Sequence, residues 1–447
     1  MRSRVLATEA PSVDPAQVET RHETSTARRH RPEAKNSQFT NLAIVVIFGL
    51  GAGLHINVGG ELYLSEALAV VCLPFLVFGA KESSRKRFGW TLVAVALWIA
   101  GIVISAYAND ARPSQIVTPL VAAAVLAATV VFLLSVVRDP RAIVALAASL
   151  SGGLLLGVIL QPVYYFSEAP WKFGYALPAS LLIATIAYMV PGQFLRIAIL
   201  LAGAVVNVLG DFRSMALILA ATAAIDVVRV LVLSRMKPHR SDVFKGVVIL
   251  VLVGTVGVGI AAAYSYSVTS GILGEASAER LRSQGGGSPV EMLLAGRYEI
   301  FYSLPAALDR PIVGYGPNPS VDSAVVARSK DALASRGLAL DGRTEIDGGD
   351  IPIHSTVMSA WITAGALGLV AWLAFGGSVL KALVTEASSS RRWLLPGFIL
   401  MLGVWNMLYS PFGGTNRMMI AVAIVVAICI RSGWDAPGPK ASEVSRA

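Results

Sequence analysis

From residue 41 onward the chain reads as uncharged apolar blocks, each roughly 17 to 24 residues long, parted by short polar breaks. Blocks of that length suit helices crossing a hydrocarbon core about 30 Å thick. The pattern predicts an all-α polytopic membrane protein with about 12 transmembrane helices. They fall near 41–58, 62–80, 88–108, 114–137, 142–165, 175–191, 194–210, 212–233 and 244–267. After a long polar interval three more follow, near 351–379, 394–410 and 416–432. The pair over 175–210 is divided only by "VPGQFLR". The interval 268–350 is the one large loop. Residues 1–40 and 433–447 are polar tails, and the first is predicted to be disordered.

Composition sharpens this picture. Of 447 residues, 55% are hydrophobic and 15% charged, where a soluble chain carries about a quarter charged. A soluble protein with one large core is excluded. A net charge of +9 would suggest nucleic acid in a soluble protein. Here the Lys and Arg residues gather in "KESSRKR", "RDPR", "SRMKPHRSDVFK" and "KALVTEASSSRR", at every second connection apart from the short "VPGQFLR" turn. The positive-inside rule assigns those loops to the cytoplasm, so no nucleic acid partner is expected. Both termini are then cytoplasmic and 268–350 is extracytoplasmic. Tyr164, Tyr165 and Trp171 fit an outer aromatic belt. No apolar core near the N-terminus carries a small-residue cleavage site, so a cleaved signal peptide is not expected.

Candidate chemistry lies on the outer side. Gly285 to Gly287 precede "SPVE", in which Ser288 can cap, Pro289 suits the first helical position and Glu291 completes a capping box. The spacing predicts an amphipathic helix near 289–308, bent near Pro305. Leu293, Arg297 and Phe301 share one face of it. An arginine between two apolar residues either lays its stem along the membrane surface or aims its guanidinium into a cleft, where it can grip a phosphate with two prongs. Arg213, in "VLGDFRSMALIL", stands at an outer mouth and either pairs with Asp211 or serves as a second cation. Arg417, in "GGTNRMM", stands at another.

Asp350 and Pro352 mark the start of the span at 351–379 and so place His354 in its first turn. Free backbone N–H groups and the helix dipole there favour a bound anion and a neutral imidazole. Such an imidazole can act as a general base; an interfacial role is the alternative. Ala360, Ala364 and Gly368 form a small-residue ridge for helix packing, with Gly365 beside them. Asp226 and Arg229, three apart near a cytoplasmic end, are expected to pair. The five histidines show no ligand spacing, and Cys72 and Cys429 lie inside apolar runs. Neither a metal site, a cofactor nor a disulfide framework is expected.

With these residues in place, the chain resembles the O-antigen ligase and O-antigen polymerase superfamily of bacterial membrane glycosyltransferases. The resemblance rests on "GRYEIFYSLPAALDRPIVGYGPNP" followed by "IHSTVMSAWITAGALG". The family pattern is an Arg opening an amphipathic helix, then a P-x-x-G-x-G turn, matched by Arg297, Pro311, Gly314 and Gly316. A His with Asn or Ser follows, and a Gly about ten residues on, matched by His354, Ser355 and Gly365. Arg213 matches a further family Arg at the outer end of an earlier span. The motif covers roughly 296–368; elsewhere the likeness is one of layout. Phe301 stands where many members have Trp, and Ser355 where many have Asn.

The resemblance implies a GT-C-like fold and a glycan donor carried on a polyprenyl diphosphate. It implies transfer to a glycan, lipid or protein acceptor at the outer face of the cytoplasmic membrane, without metal. Arg213 and Arg297, with Arg417 as a third candidate, would hold the diphosphate. His354 would orient or deprotonate the acceptor hydroxyl, and membrane lipid and the apolar spans would surround the polyprenyl tail. A ligase and a polymerase of lipid-linked repeats share these motifs. A transporter or flippase is the alternative of another class. The long loop between the ninth and tenth spans breaks a simple two-half repeat, and the spans keep their polar residues mostly near the ends.

Overall fold

The computed structural model describes residues 30–57, 60–79, 82–162, 164–233, 235–236, 241–271, 299–320, 323–335, 353–388 and 393–432. Among the described residues the regular structure is helical apart from one short hairpin. The first nine helices are α1 (His30–Leu50), α2 (Leu64–Phe78), α3 (Glu82–Ala108), α4 (Pro113–Val136), α5 (Pro140–Leu160), α6 (Ala176–Met189), α7 (Gln193–Leu209), α8 (Arg213–Leu233) and α9 (Asp242–Thr269). The long loop contributes α10 (Ile300–Asp309) and α11 (Ser323–Ala334). Then come α12 (Thr356–Ser388), α13 (Leu394–Tyr409) and α14 (Gly414–Arg431). Each of the predicted apolar segments thus contains a helix. Eight stretches are long and apolar enough to cross a membrane, lying in α3, α4, α5, α6 with the turn before it, α8, α9, α12 and α14. Shorter apolar helices occupy Phe39–Gly53, Leu64–Phe78, Gln193–Leu209 and Leu394–Tyr409.

Several boundaries differ from the sequence reading. The segment expected to be disordered through residue 40 is helical from His30, because Glu33, Ala34 and Lys35 are good helix formers that extend a nucleus already present. The first span does not reach 58. It ends in a tight turn at Gly51–Gly53, and His55–Asn57 pairs antiparallel with Glu61–Tyr63. Glycines and the β-branched Ile56 disfavour helix there, so a small β element separates α1 from α2. The tenth span begins at Thr356 rather than 351 and runs to Ser388 rather than 379. Lys381 and Glu386 end an apolar window but not a helix. Residues 272–298, including the expected capping box and Arg297, lie outside the described residues, as do 1–29, 336–352 and 433–447.

α12 is the hub of residues 41–447, packing on α3, α13, α9, α14 and α10. The small-residue ridge is part of this: Ala360 and Ala364 are buried, and Gly101 of α3 lies against the Ala364 backbone. Deeper in the same seam, Trp98, Trp372, Phe375 and Phe412 pack edge-on with ring centres 5.1–5.6 Å apart. Such aromatic contacts fix α12 against α3.

Side-chain contacts between distant segments fall into two sets. In one, Tyr63 meets Thr415, Arg417 donates to Glu66, and the His55 N–H donates to Gln161. The same set has Asn109 donating to the Gly314 carbonyl, Trp171 to Asn207 and Thr356 to the Ser410 carbonyl. In the other, Arg87 donates to Ser432, Cys429 to the Val137 carbonyl, and Gln193 and Trp393 to Asp226. Asp226 also pairs with Arg229 at 3.7 Å, as their spacing predicts. The first set joins segments that the Lys/Arg bias assigns outward, and the second joins segments assigned inward. Between Glu66 and Arg87 the chain therefore travels the length of α14, and α2 covers that distance.

Candidate functional site

The two halves of the family-like motif come together as one joint. Gly365 adopts φ 63° and ψ −153° inside α12, a conformation close to glycine-only backbone, and kinks the helix. The kink frees the Ala366 N–H to donate to the Ile312 carbonyl at 2.9 Å and the Ile362 carbonyl to accept from Tyr315 at 2.7 Å. The loop 310–316 thus docks by its backbone. Gly314, at φ 77°, lies so close that a Cβ there would be 2.6 Å from the Ile362 carbonyl oxygen. The Trp361 indole donates to the Pro311 carbonyl, and Asn109 at the end of α3 donates to the Gly314 carbonyl. Beneath the loop, Ala306, Ala307, Tyr315, Val325 and Ile362 form a small core of their own, with Ile353 and Met358 packed against it.

Charge locks the same loop. Asp309 accepts from the Tyr315 hydroxyl at 2.7 Å and pairs with Arg328 of α11 at 3.1 Å. The Tyr315 hydrogen bond first, and then Arg328, hold Asp309 below the ordinary carboxylate range. Burial first, and then Asp309, pushes Tyr315 up to about 12. The contribution of Asp309 is therefore complete above the ordinary carboxylate range and is lost as pH falls through its own, lower value. Arg310 donates to Asn109 Oδ1 at 2.8 Å and lies 4.7 Å from the Tyr315 ring centre. A shallow pocket opens here, lined by Ala108, Asn109, Arg310, Pro311, Ile312 and neighbours.

The joint should be intolerant of a single methyl. A Cβ at Gly365 would sit 2.0 Å from the Ile312 carbonyl oxygen, against backbone that cannot rotate away. Gly365→Ala should destabilise the protein by roughly 3 kcal/mol or more. Gly377, on the same helix with open space around it, is the control. Thermal unfolding of both alanine variants checks this; equal midpoints would mean that the loop does not dock rigidly.

His354 is not in the first turn of α12, as the sequence reading had it. Ser355 is the capping residue, its hydroxyl accepting from the Met358 N–H at 3.3 Å, so His354 lies just before the cap. The next residue is anchored too, since Thr356 donates to the Ser410 carbonyl at the end of α13. The imidazole is half exposed, and its Nδ1 lies 3.4 Å from Glu299 Oε1 at the start of α10. It therefore stands at the edge of the joint, facing the helix that follows Arg297.

The arginines separate into different situations. Arg297 lies outside the described residues. Arg213 is the first residue of α8, exposed, with Nε 3.4 Å from Asp211. So exposed a pair holds a guanidinium weakly. Arg417 is different. It is buried and grips both oxygens of buried Glu66, at 2.8 and 2.6 Å, while also donating to the Glu61 carbonyl. A diphosphate would have to displace that carboxylate, and the loss of either partner would strand a buried charge. Arg417 is a strut between the hairpin and α14.

Sequence reading missed Asn109, Trp361 and Glu299. Asn109 and Trp361 serve backbone carbonyls, which no motif records. Glu299 sits in "GRYEIF", two residues after Arg297, where only the arginine drew notice. Among the described residues no group of three His, Cys, Asp or Glu side chains is placed to hold a metal. In comparisons with known proteins the chain matches no family model and no curated sequence.

Proposed function

We propose that this protein is a membrane glycosyltransferase that moves a glycan from a polyprenyl-diphosphate donor to an acceptor hydroxyl at the outer face of the cytoplasmic membrane. The observation that carries this reading is the joint. Residues 310–316 and Gly365, matched separately to one family pattern, meet through their backbones and set His354 beside the helix that Arg297 precedes. The sorting of contacts into two ends supports helices that alternate in direction, and the Lys/Arg bias would then put both termini of a twelve-crossing chain in the cytoplasm. The large loop, His354 and Arg213 then share the outer side.

The chemistry follows from the groups assigned. The acceptor O–H gives its proton to His354, its oxygen bonds to the anomeric carbon, and the bond to the diphosphate breaks with its electron pair on the departing phosphate oxygen. Charge grows on that oxygen, and Arg297 and Arg213 offset it. Arg417 is left to the scaffold. The acceptor hydroxyl belongs to a glycan, lipid or protein, and in a polymerase it would be another lipid-linked repeat.

The reading is tested with purified full-length protein in lipid, a lipid-linked glycan donor and excess chelator. Transfer, with release of polyprenyl diphosphate, should proceed undiminished. Turnover that stops in chelator and returns with Mg²⁺ or Mn²⁺ would overturn the assignment of the charge to arginines. No release under either condition would overturn the function.

A further inference from the structure

Glu299 begins α10, yet its side chain does not cap it. The Tyr302 and Ser303 N–H groups donate to its carbonyl instead. The side chain is 12% exposed, and its Oε2 is buried with no hydrogen-bond partner. Placing a carboxylate there is costly unless a nearby group offsets it. Of the three described cations of this loop, Arg310 donates to Asn109, Arg328 pairs with Asp309 and Lys330 is exposed on α11. What Glu299 does face is the imidazole of His354, with Oε1 3.4 Å from Nδ1.

We propose that Glu299 is the positioning residue for His354, a role that rests on the glycosyltransferase reading above. With Nδ1–H directed at Oε1, the lone pair of the neutral ring is on Nε2, the nitrogen left to meet the acceptor. The acceptor proton passes to Nε2 as the oxygen bonds to the anomeric carbon and the lipid diphosphate leaves with the bonding pair. The imidazolium so formed faces the carboxylate, which stabilises it. Glu299 touches no substrate; it fixes which nitrogen works and where it points.

The experiment compares Glu299→Gln and Glu299→Asp, each alone and with His354→Gln, in the full-length protein with lipid-linked donor. Gln keeps the size and an acceptor oxygen but removes the charge; Asp keeps the charge. Glu299→Gln should lower kcat about 10- to 100-fold with the donor KM unchanged. Glu299→Asp should recover most of the rate. In the His354→Gln background Glu299→Gln should cost nothing further, because the pair acts as one unit. Thermal unfolding alongside shows that each variant is folded. A wild-type kcat in Glu299→Gln, a change confined to KM, or an equal loss in both backgrounds would overturn the role of Glu299 alone. A wild type that releases no polyprenyl diphosphate would instead overturn the function on which it rests.

Discussion

Alanine at Arg297 or at Arg213 should abolish glycan transfer, lowering it by about 10³-fold or more, while the protein remains in the membrane. In the proposed transfer the leaving group gathers negative charge as its glycosidic bond breaks. Guanidinium groups held around it would stabilise that charge without reorganising. Arg213 is suited to this by its exposure at the start of α8, where the free N–H groups of the helix also favour an anion. Lysine at either position should restore part of the rate, because it keeps the charge and loses the two-pronged geometry. The check is transfer rate at matched protein level in membranes. Normal output from Arg297→Ala would remove Arg297 from the mechanism, and the same result for Arg213→Ala would leave Arg213 as a surface partner of Asp211.

His354→Ala should lower turnover by roughly 10² to 10⁴-fold, the usual worth of a general base, with donor binding little changed. His354→Gln separates the roles. A base is lost in Gln, and the rate falls as far as in Ala. A residue that only hydrogen-bonds the diphosphate should leave most of the activity in Gln. Transfer rates of the two variants at matched protein level decide between them.

The helices were legible because apolar length is a robust signal: a run of uncharged residues long enough to cross lipid has few alternatives to helix. Their ends were less so. Ser355 caps α12 through one hydroxyl contact, so the helix starts after the position that Asp350 and Pro352 suggested, and His354 falls outside it. The kink at Gly365 was hidden for a related reason. A glycine among Ala360, Ala364 and Gly368 reads as one more packing residue, and only the carbonyl of Ile312 shows why it must be glycine. Arg417 shows the largest gap. Its partner Glu66 is 351 residues away, and no local pattern tells an arginine with a carboxylate in hand from one awaiting a phosphate.

The backbone clasp between residues 310–316 and α12 has a consequence for the stretch that links them. Val325 and Arg328 of α11 belong to the clasp as well, so the chain leaves it only after α11 and returns through Ile353 and His354, and the connection between is held at both ends. Doubling such a loop costs only about 0.6 kcal/mol in closure entropy. Changes of length between residues 336 and 352 should therefore cost little and leave the fastening of His354 to the scaffold as it is; if the protein is the proposed transferase, acceptor choice could be altered there without touching the groups assigned to the donor.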